Sequence, residues 1–185
     1  KITLSFLNQI TEKAINSNQL KIRKSAEKLF HFAAENLIPF YVLSAGCGNV
    51  IERFLEISID SKVLKVLKEN NLLVIVSNFF EVNENNQIVS FKKPVLNTFN
   101  KVDFLKQAFR HDSLNAIVFG DHHHDSFCVE KLTLNKTISI AFVNFDKKEM
   151  ETNKKDILER YLLHWDVIKF NEGSFELGVE IMKSI

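Results

Sequence analysis

The sequence predicts an α/β fold built on a mainly parallel sheet. Three observations carry that expectation. Segments with strand character alternate with segments of helical periodicity along the whole chain. The run Ala116-Ile117-Val118-Phe119 is short, continuous and apolar, as strands are when a parallel sheet is buried on both faces. Glycine and proline are scarce, at 5 and 2 residues, while phenylalanine reaches 17, which favours dense regular structure over linkers.

A chain of 185 residues can bury one substantial core, so a single main domain is expected. A formal net charge of +1 gives no electrostatic basis for binding nucleic acid or a membrane surface. Cys47 and Cys128 make no disulfide framework, which fits a reducing, cytoplasmic location. No apolar run reaches the length of a membrane span and no signal-peptide pattern opens the sequence. The first residue is Lys1 rather than methionine, which leaves room for upstream sequence.

Taken in order, Leu4, Leu7, Ile10 and Ala14 recur at helical spacing and predict an amphipathic helix over residues 3–15. A polar cluster at 16–19 ends it. A second helix is expected over 22–36, with Ala26, Leu29, Phe30, Ala33 and Ala34 as its core stripe. Pro39 stops that helix and opens the extended run 40–43. The run ends in Ser44-Ala45-Gly46-Cys47-Gly48, directly before a helix expected over 49–57. A strand, a small-residue turn and a helix form a natural anion site, because backbone N–H groups and the helix dipole point at the turn and Ser44 adds a hydroxyl donor. The plainer alternative is a tight turn whose glycines permit unusual backbone angles. Cys47 has no identifiable histidine base and is read as a turn residue.

A helix over 61–69, a buried strand over 72–76, and a hairpin pairing 79–82 with 87–91 across the polar turn 83–86 follow. Pro94 closes the hairpin, and Thr98-Phe99-Asn100-Lys101 leads into a helix over 102–110. A lysine at a helix start opposes the dipole, so Lys101 is either a solvated surface residue or one aimed back at an anion. The apolar run 116–119 then ends in Gly120, with Asp121 and Asp125 four residues apart. Ligands of open α/β sheets bind beyond the carboxyl ends of strands, so these aspartates stand where chemistry is done. Two carboxylates within about 4 Å of one centre repel by on the order of 4 kcal/mol at an effective dielectric near 20. A cation offsets that repulsion, and oxygen-only ligands point to magnesium. The alternative is an Asp-rich turn capping a helix that starts near Asp125 and runs to about residue 132.

In an extended segment His122 and His124 share one side and His123 faces the other. With Cys128 their spacing matches no common zinc pattern, so they are read as loop residues lining the mouth of the site and titrating near neutral pH. A strand over 138–143, a charged helix over 147–162, a strand over 165–170 and a helix over 174–184, N-capped by Ser174, complete the alternation.

The strand ending in Ser44-Ala45-Gly46, the lysine at Lys101 and the strand ending in Gly120-Asp121 with Asp125 resemble, in order and spacing, the second, third and fourth motifs of the haloacid dehalogenase (HAD) superfamily of phosphatases. I-P-F-Y-V-L-S-A-G-C-G-N-V-I-E, V-I-V-S-N-F-F-E-V-N, V-S-F-K-K-P, T-F-N-K and I-V-F-G-D are similar to segments of one branch, the pyrimidine 5'-nucleotidases. The resemblance extends through R-Y-L-L-H-W-D-V-I and covers residues 20–185.

The resemblance implies a three-layer Rossmann-like fold and magnesium-dependent hydrolysis of nucleoside 5'-monophosphates, most simply pyrimidine ones, through an aspartyl-phosphate. It implies that Ser44, Ala45 and Gly46 hold the phosphate and that Lys101 neutralises it. Asp121 would ligate magnesium, and Asp125 would order a metal-bound water or orient Lys101. His124 stands where the family has a small residue, which implies an altered metal loop. The family's first motif, D-x-D, carries the nucleophile on the central strand, and no Asp-x-Asp occurs in this sequence. The expectation is therefore a fragment lacking the first strand and most of the helical cap, with residues 1–20 a cap remnant and 21–185 the core domain. Such a fragment is expected to be inactive and to fold poorly alone. The competing expectations are a non-catalytic phosphate- or nucleotide-binding module and a HAD phosphatase with another small substrate.

Overall fold

The computed structural model describes residues 2–109, 114–122, 125–129, 132–144, 147–170 and 173–184, with the backbone alone for 147–154. The elements are α1 (Leu4–Asn16), α2 (Ala26–Glu35), β1 (Phe40–Cys47), α3 (Gly48–Ser58), α4 (Ser61–Glu69), β2 (Leu73–Asn78), β3 (Phe80–Val82), β4 (Ile88–Phe91), α5 (Lys101–Ala108), β5 (Leu114–Gly120), a 3-10 helix (Asp125–Val129), β6 (Leu134–Val143), α6 (Lys147–Leu162), β7 (Val167–Phe170) and α7 (Glu176–Lys183). β1 pairs with β2 in parallel, and β5, β6 and β7 form a second parallel sheet. The only antiparallel pairing among described strands is the β3–β4 hairpin. The expected α/β class with a mainly parallel sheet is what forms.

The β1–β2 sheet packs under α2 and α4. Their apolar stripes place Leu29 and Leu67 at 1% and 0% exposure, and each such leucine stabilises the fold by roughly 1.5–3 kcal/mol. Phe30 stacks on Phe40 at 4.3 Å, which ties α2 to the first residue of β1. The second sheet is covered on both faces, as its continuous apolar runs require. Phe119 and Phe142 point to one face, where both meet Phe175 edge-on and Phe119 presses on Gly178 of α7. Val118, Ala141 and Val143 point to the other and pack with Ile157 of α6 and Trp165. Adjacent residues of β5 thus serve opposite layers, the period-two consequence of a pleated strand.

Several boundaries differ from expectation for local reasons. The second helix starts at Ala26, not residue 22, because Ser25 adopts a left-handed conformation (φ 64°) that breaks the helical path. β1 runs on to Cys47 through a bulge: Leu43 pairs with Val76 and Cys47 with Asn78, so four steps on β1 oppose two on β2. The helix expected from Asp125 to 132 is a 3-10 helix that ends at Val129, and residues 130 and 131 lie outside the described set. The last helix is capped by the backbone at Phe175, while Ser174 Oγ still accepts the Glu176 N–H at 3.4 Å. β7 begins at Val167, because Trp165 is buried in the core ahead of the strand.

Candidate active site

The site assembles where β1 and β5 end. At the end of β1, the bulged residues Ser44, Ala45 and Gly46 leave the ladder, and two side chains from the neighbouring strand hold them. Asn78 donates to the Ala45 carbonyl at 2.8 Å, and Ser77 Oγ donates to the Gly46 carbonyl at 3.0 Å. Capturing the Ala45 carbonyl turns the Gly46 N–H, across the same planar trans peptide, to the opposite side. That N–H meets Ser44 Oγ at 3.1 Å, which leaves the serine's own proton free to be donated elsewhere. Gly48 then opens α3 because Phe79 fills its side-chain space: a Cβ there would lie 2.6 Å from the ring.

Asn78 also reaches the chain that delivers the lysine. Its amide donates to the Leu96 carbonyl at 2.8 Å and its carbonyl oxygen accepts the Leu96 N–H at 2.7 Å. Leu96 is 1% exposed, so this loop is nailed to the core before α5 begins. Asn97 and Asn100 then close the turn, Asn97 Oδ1 accepting from Phe99 N at 2.9 Å and Asn100 Oδ1 from Asn97 N at 2.7 Å. The result is Lys101 as the first residue of α5, the helix start the sequence predicts.

Lys101 and Asp125 meet. Nζ lies 2.8 Å from Asp125 Oδ1, with the side chains only 18% and 19% exposed. Asp125 Oδ2 accepts the His122 N–H at 3.2 Å, and the Asp125 N–H donates to the His122 carbonyl at 2.9 Å, so the turn after β5 closes on itself. Gly120 makes room for this: a Cβ would lie 2.7 Å from both Asp125 Cβ and Trp165 Cη2. Asp121 stands beyond the strand end with an exposed side chain, and its main-chain carbonyl accepts the Tyr161 hydroxyl at 2.7 Å. Burial, then the charges of Asp121 and Asp125, hold the Tyr161 phenol above its ordinary range.

Of the sequence-predicted residues, Lys101, Asp125 and the Asp121 strand end come together. No described hydrogen bond or ion pair joins Ser44, Ala45 or Gly46 to them. The closest link is α5, which packs against β1, β2 and the 3-10 helix. His122 lies in the turn, whereas His123 and His124 fall outside the described residues. Among the described residues no group of three or more His, Cys, Asp or Glu side chains is placed to hold a metal ion. Cys128 is buried in the 3-10 helix, and that burial pushes its thiol up. Sequence reasoning missed Asn78, Ser77 and Tyr161. A signal existed for Asn78: an amide ending a buried strand must find partners, and few positions offer them.

No helix among the described residues is long and apolar enough to cross a membrane. In comparisons with known proteins, a human 7-methylguanosine phosphate-specific 5'-nucleotidase is 26% identical over 185 aligned residues, covering 96% of this chain and 56% of the relative. A putative cytosolic 5'-nucleotidase 3 of Caenorhabditis elegans is 27% identical over 126 residues, or 65% of this chain and 32% of the relative. The chain spans about half the length of the curated relatives it matches over most of its own length. Among solved structures, cytosolic 5'-nucleotidase IIIB bound to cytidine superposes with a TM-score of 0.67 at 20% identity, covering 99% of this chain and 58% of that one. A phosphoserine phosphohydrolase-like protein from Francisella tularensis gives 0.57 at 11% identity, covering 99% and 71%. The fold is thus HAD-like. The family model described as pyrimidine 5'-nucleotidase (UMPH-1) matches residues 3–185, and the chain belongs to that family.

Proposed function

We propose that the protein carrying this chain hydrolyses nucleoside 5'-monophosphates to nucleoside and phosphate, through an aspartyl-phosphate on an aspartate that these 185 residues do not supply. The Lys101–Asp125 pair carries the reading. A cation at the first turn of a helix opposes the dipole, and burial to 18% exposure adds desolvation, so the site spends stability on holding an ammonium there. Charge neutralisation at a phosphate accounts for it. Ser44, with its proton free to donate, and the Ala45–Gly46 backbone bind that phosphate.

The donor chemistry fits magnesium, which takes oxygen ligands, keeps several waters and uses only one or two carboxylates. The exposed Asp121 carboxylate is the direct ligand, whereas Asp125, held by Lys101, orders a metal-bound water and orients the lysine. Magnesium, when bound, offsets phosphate charge and polarises the phosphoryl group. Residues 1–20, which include α1, belong to a helical cap and residues 21–185 form the core domain. The protein acts in the cytoplasm.

The test is turnover of CMP, UMP and 7-methyl-GMP by the protein as the cell makes it and by the 185-residue chain, with and without magnesium. Magnesium-dependent turnover by the former and none by the chain is expected, with pyrimidine nucleotides preferred. Hydrolysis by the bare chain that depends on Asp121 would place the nucleophile inside it and overturn the reading. A second reading, a non-catalytic nucleotide-binding module, is favoured by the lack of any D-x-D in the sequence. It predicts binding of the same nucleotides with no turnover in either form. Turnover of other small phosphate esters alone would instead mark a phosphatase of different specificity.

A further inference from the structure

We infer that Tyr161 is a positioning residue for Asp121, and that the end of α6 clamps the proposed metal loop from outside. The inference deepens the reading above and rests on it for the role of Asp121.

Tyr161 lies in the last turn of α6, and its ring packs against the core that contains Trp165 and Val118. Its hydroxyl emerges from that core and donates to the Asp121 carbonyl at 2.7 Å, forty residues away in sequence. This bond fixes the peptide plane leaving Asp121. The other side of the same turn is fixed by Asp125, through the His122 N–H and carbonyl. The one turn is therefore held at both ends while the Asp121 side chain is exposed. Two residues beyond α6, His164 meets the Phe127 ring of the 3-10 helix edge-on at 4.7 Å. A carboxylate that must meet a cation in one geometry gains from such a frame, because partners of a metal ligand set its orientation.

Tyr161→Phe removes one hydroxyl and keeps the packing. In the protein as the cell makes it, hydrogen exchange at the His122 and Asp125 amides should speed up by about 5-fold, in line with loss of one net hydrogen bond, while amides of β6 and β7 stay at parent rates. In the protein as the cell makes it, Mn2+ binding followed without substrate by electron paramagnetic resonance should weaken about 10-fold. Turnover should return to near parent level at saturating magnesium, which a general structural defect would not allow. Uniformly faster exchange across β6 and β7 would reduce Tyr161 to a packing residue and overturn the inference. So would loop exchange and Mn2+ affinity both equal to parent. If the parent binds no Mn2+, the metal assignment of Asp121 falls, and loop exchange alone still decides whether Tyr161 positions that residue.

Discussion

The two parallel sheets end in working segments that are held by different physics. At the end of β1 the bulge is secured by neutral groups: an amide and a hydroxyl from β2 capture two main-chain carbonyls. At the end of β5 the turn is secured by charge, a carboxylate bridging an ammonium and a main-chain N–H. Each suits the partner proposed for it. A phosphate already carries its charge and needs N–H and O–H donors in fixed directions, so neutral scaffolding does not compete with it. A cation and a lysine must share one anionic region, so there the scaffold itself is ionic and its loss is felt as charge.

Breaking the ionic end should have the largest effect. In the protein as the cell makes it, Lys101→Met should lower turnover by at least about 100-fold, the scale of losing one preorganised charge donor, with no comparable loss of stability. Lys101→Arg should rescue poorly, since a planar fork does not replace a point charge. Asp121→Asn should raise the magnesium concentration needed for half-maximal turnover far more than Asp125→Asn does. Parent-like turnover in Lys101→Met would return that lysine to an ordinary surface role, and equal magnesium titrations for both aspartate variants would remove the distinction between them.

Breaking the neutral end should show first in stability. Asn78→Ala strips partners from the Ala45 carbonyl and from both polar groups of buried Leu96, and should cost about 2–4 kcal/mol in urea denaturation. A loss below 1 kcal/mol would mean that water replaces the amide, and that the bulge is not held as described. The two glycines sharpen the contrast further. Gly48→Ala and Gly120→Ala each place a methyl within 2.6–2.7 Å of a neighbour and should each cost about 1–3 kcal/mol. Only Gly120→Ala should also disturb the Lys101–Asp125 pair, so its turnover should fall well beyond that of Gly48→Ala at matched stability.

What the sequence could disclose follows the same division. Lys101, Asp121 and Asp125 are charged residues in positions where charge is unfavourable or concentrated, so each announces itself in a linear reading. The period-two burial of Val118 and Phe119 was equally legible as a continuous apolar run. Tyr161 is not, because its role depends on a partner 40 residues away, and for Asn78 the sequence signals only that an amide near a strand end needs partners, not that one of them is Ala45, 33 residues away. The bulge in β1 was hidden for a related reason: small residues after a strand look like a turn, and only the pairing of Cys47 with Asn78 shows that the strand continues past it. The 3-10 helix at Asp125 is shorter than the helix the sequence predicts, because propensity cannot register the competing hold on Asp125 from Lys101 and His122.

The smallest expected effect separates the halves by their cysteines. Cys47 ends β1 and is half-buried, whereas Cys128 lies buried behind Asp125, with burial the main cause of its raised thiol pKa. Only the thiolate reacts with alkylating reagents, so iodoacetamide at pH 8 should label Cys47 quickly and Cys128 only as fast as the second half opens. The linkage has a definite sign. A folded-state pKa above the unfolded value contributes stability that is fully present below the unfolded thiol pKa of about 8.5 and is lost as pH rises through the folded one. Cys128→Ala should therefore flatten the alkaline limb of a stability–pH curve measured from pH 7 to 10. Two nearby charges act in opposite directions, Lys101 favouring the Cys128 thiolate and Asp125 disfavouring it. Lys101→Met removes the former and should slow Cys128 labelling further. Equal labelling rates for the two thiols in the folded chain would show that the segment behind Asp125 is as open as the end of β1, and the contrast between the two ends would lose its structural basis.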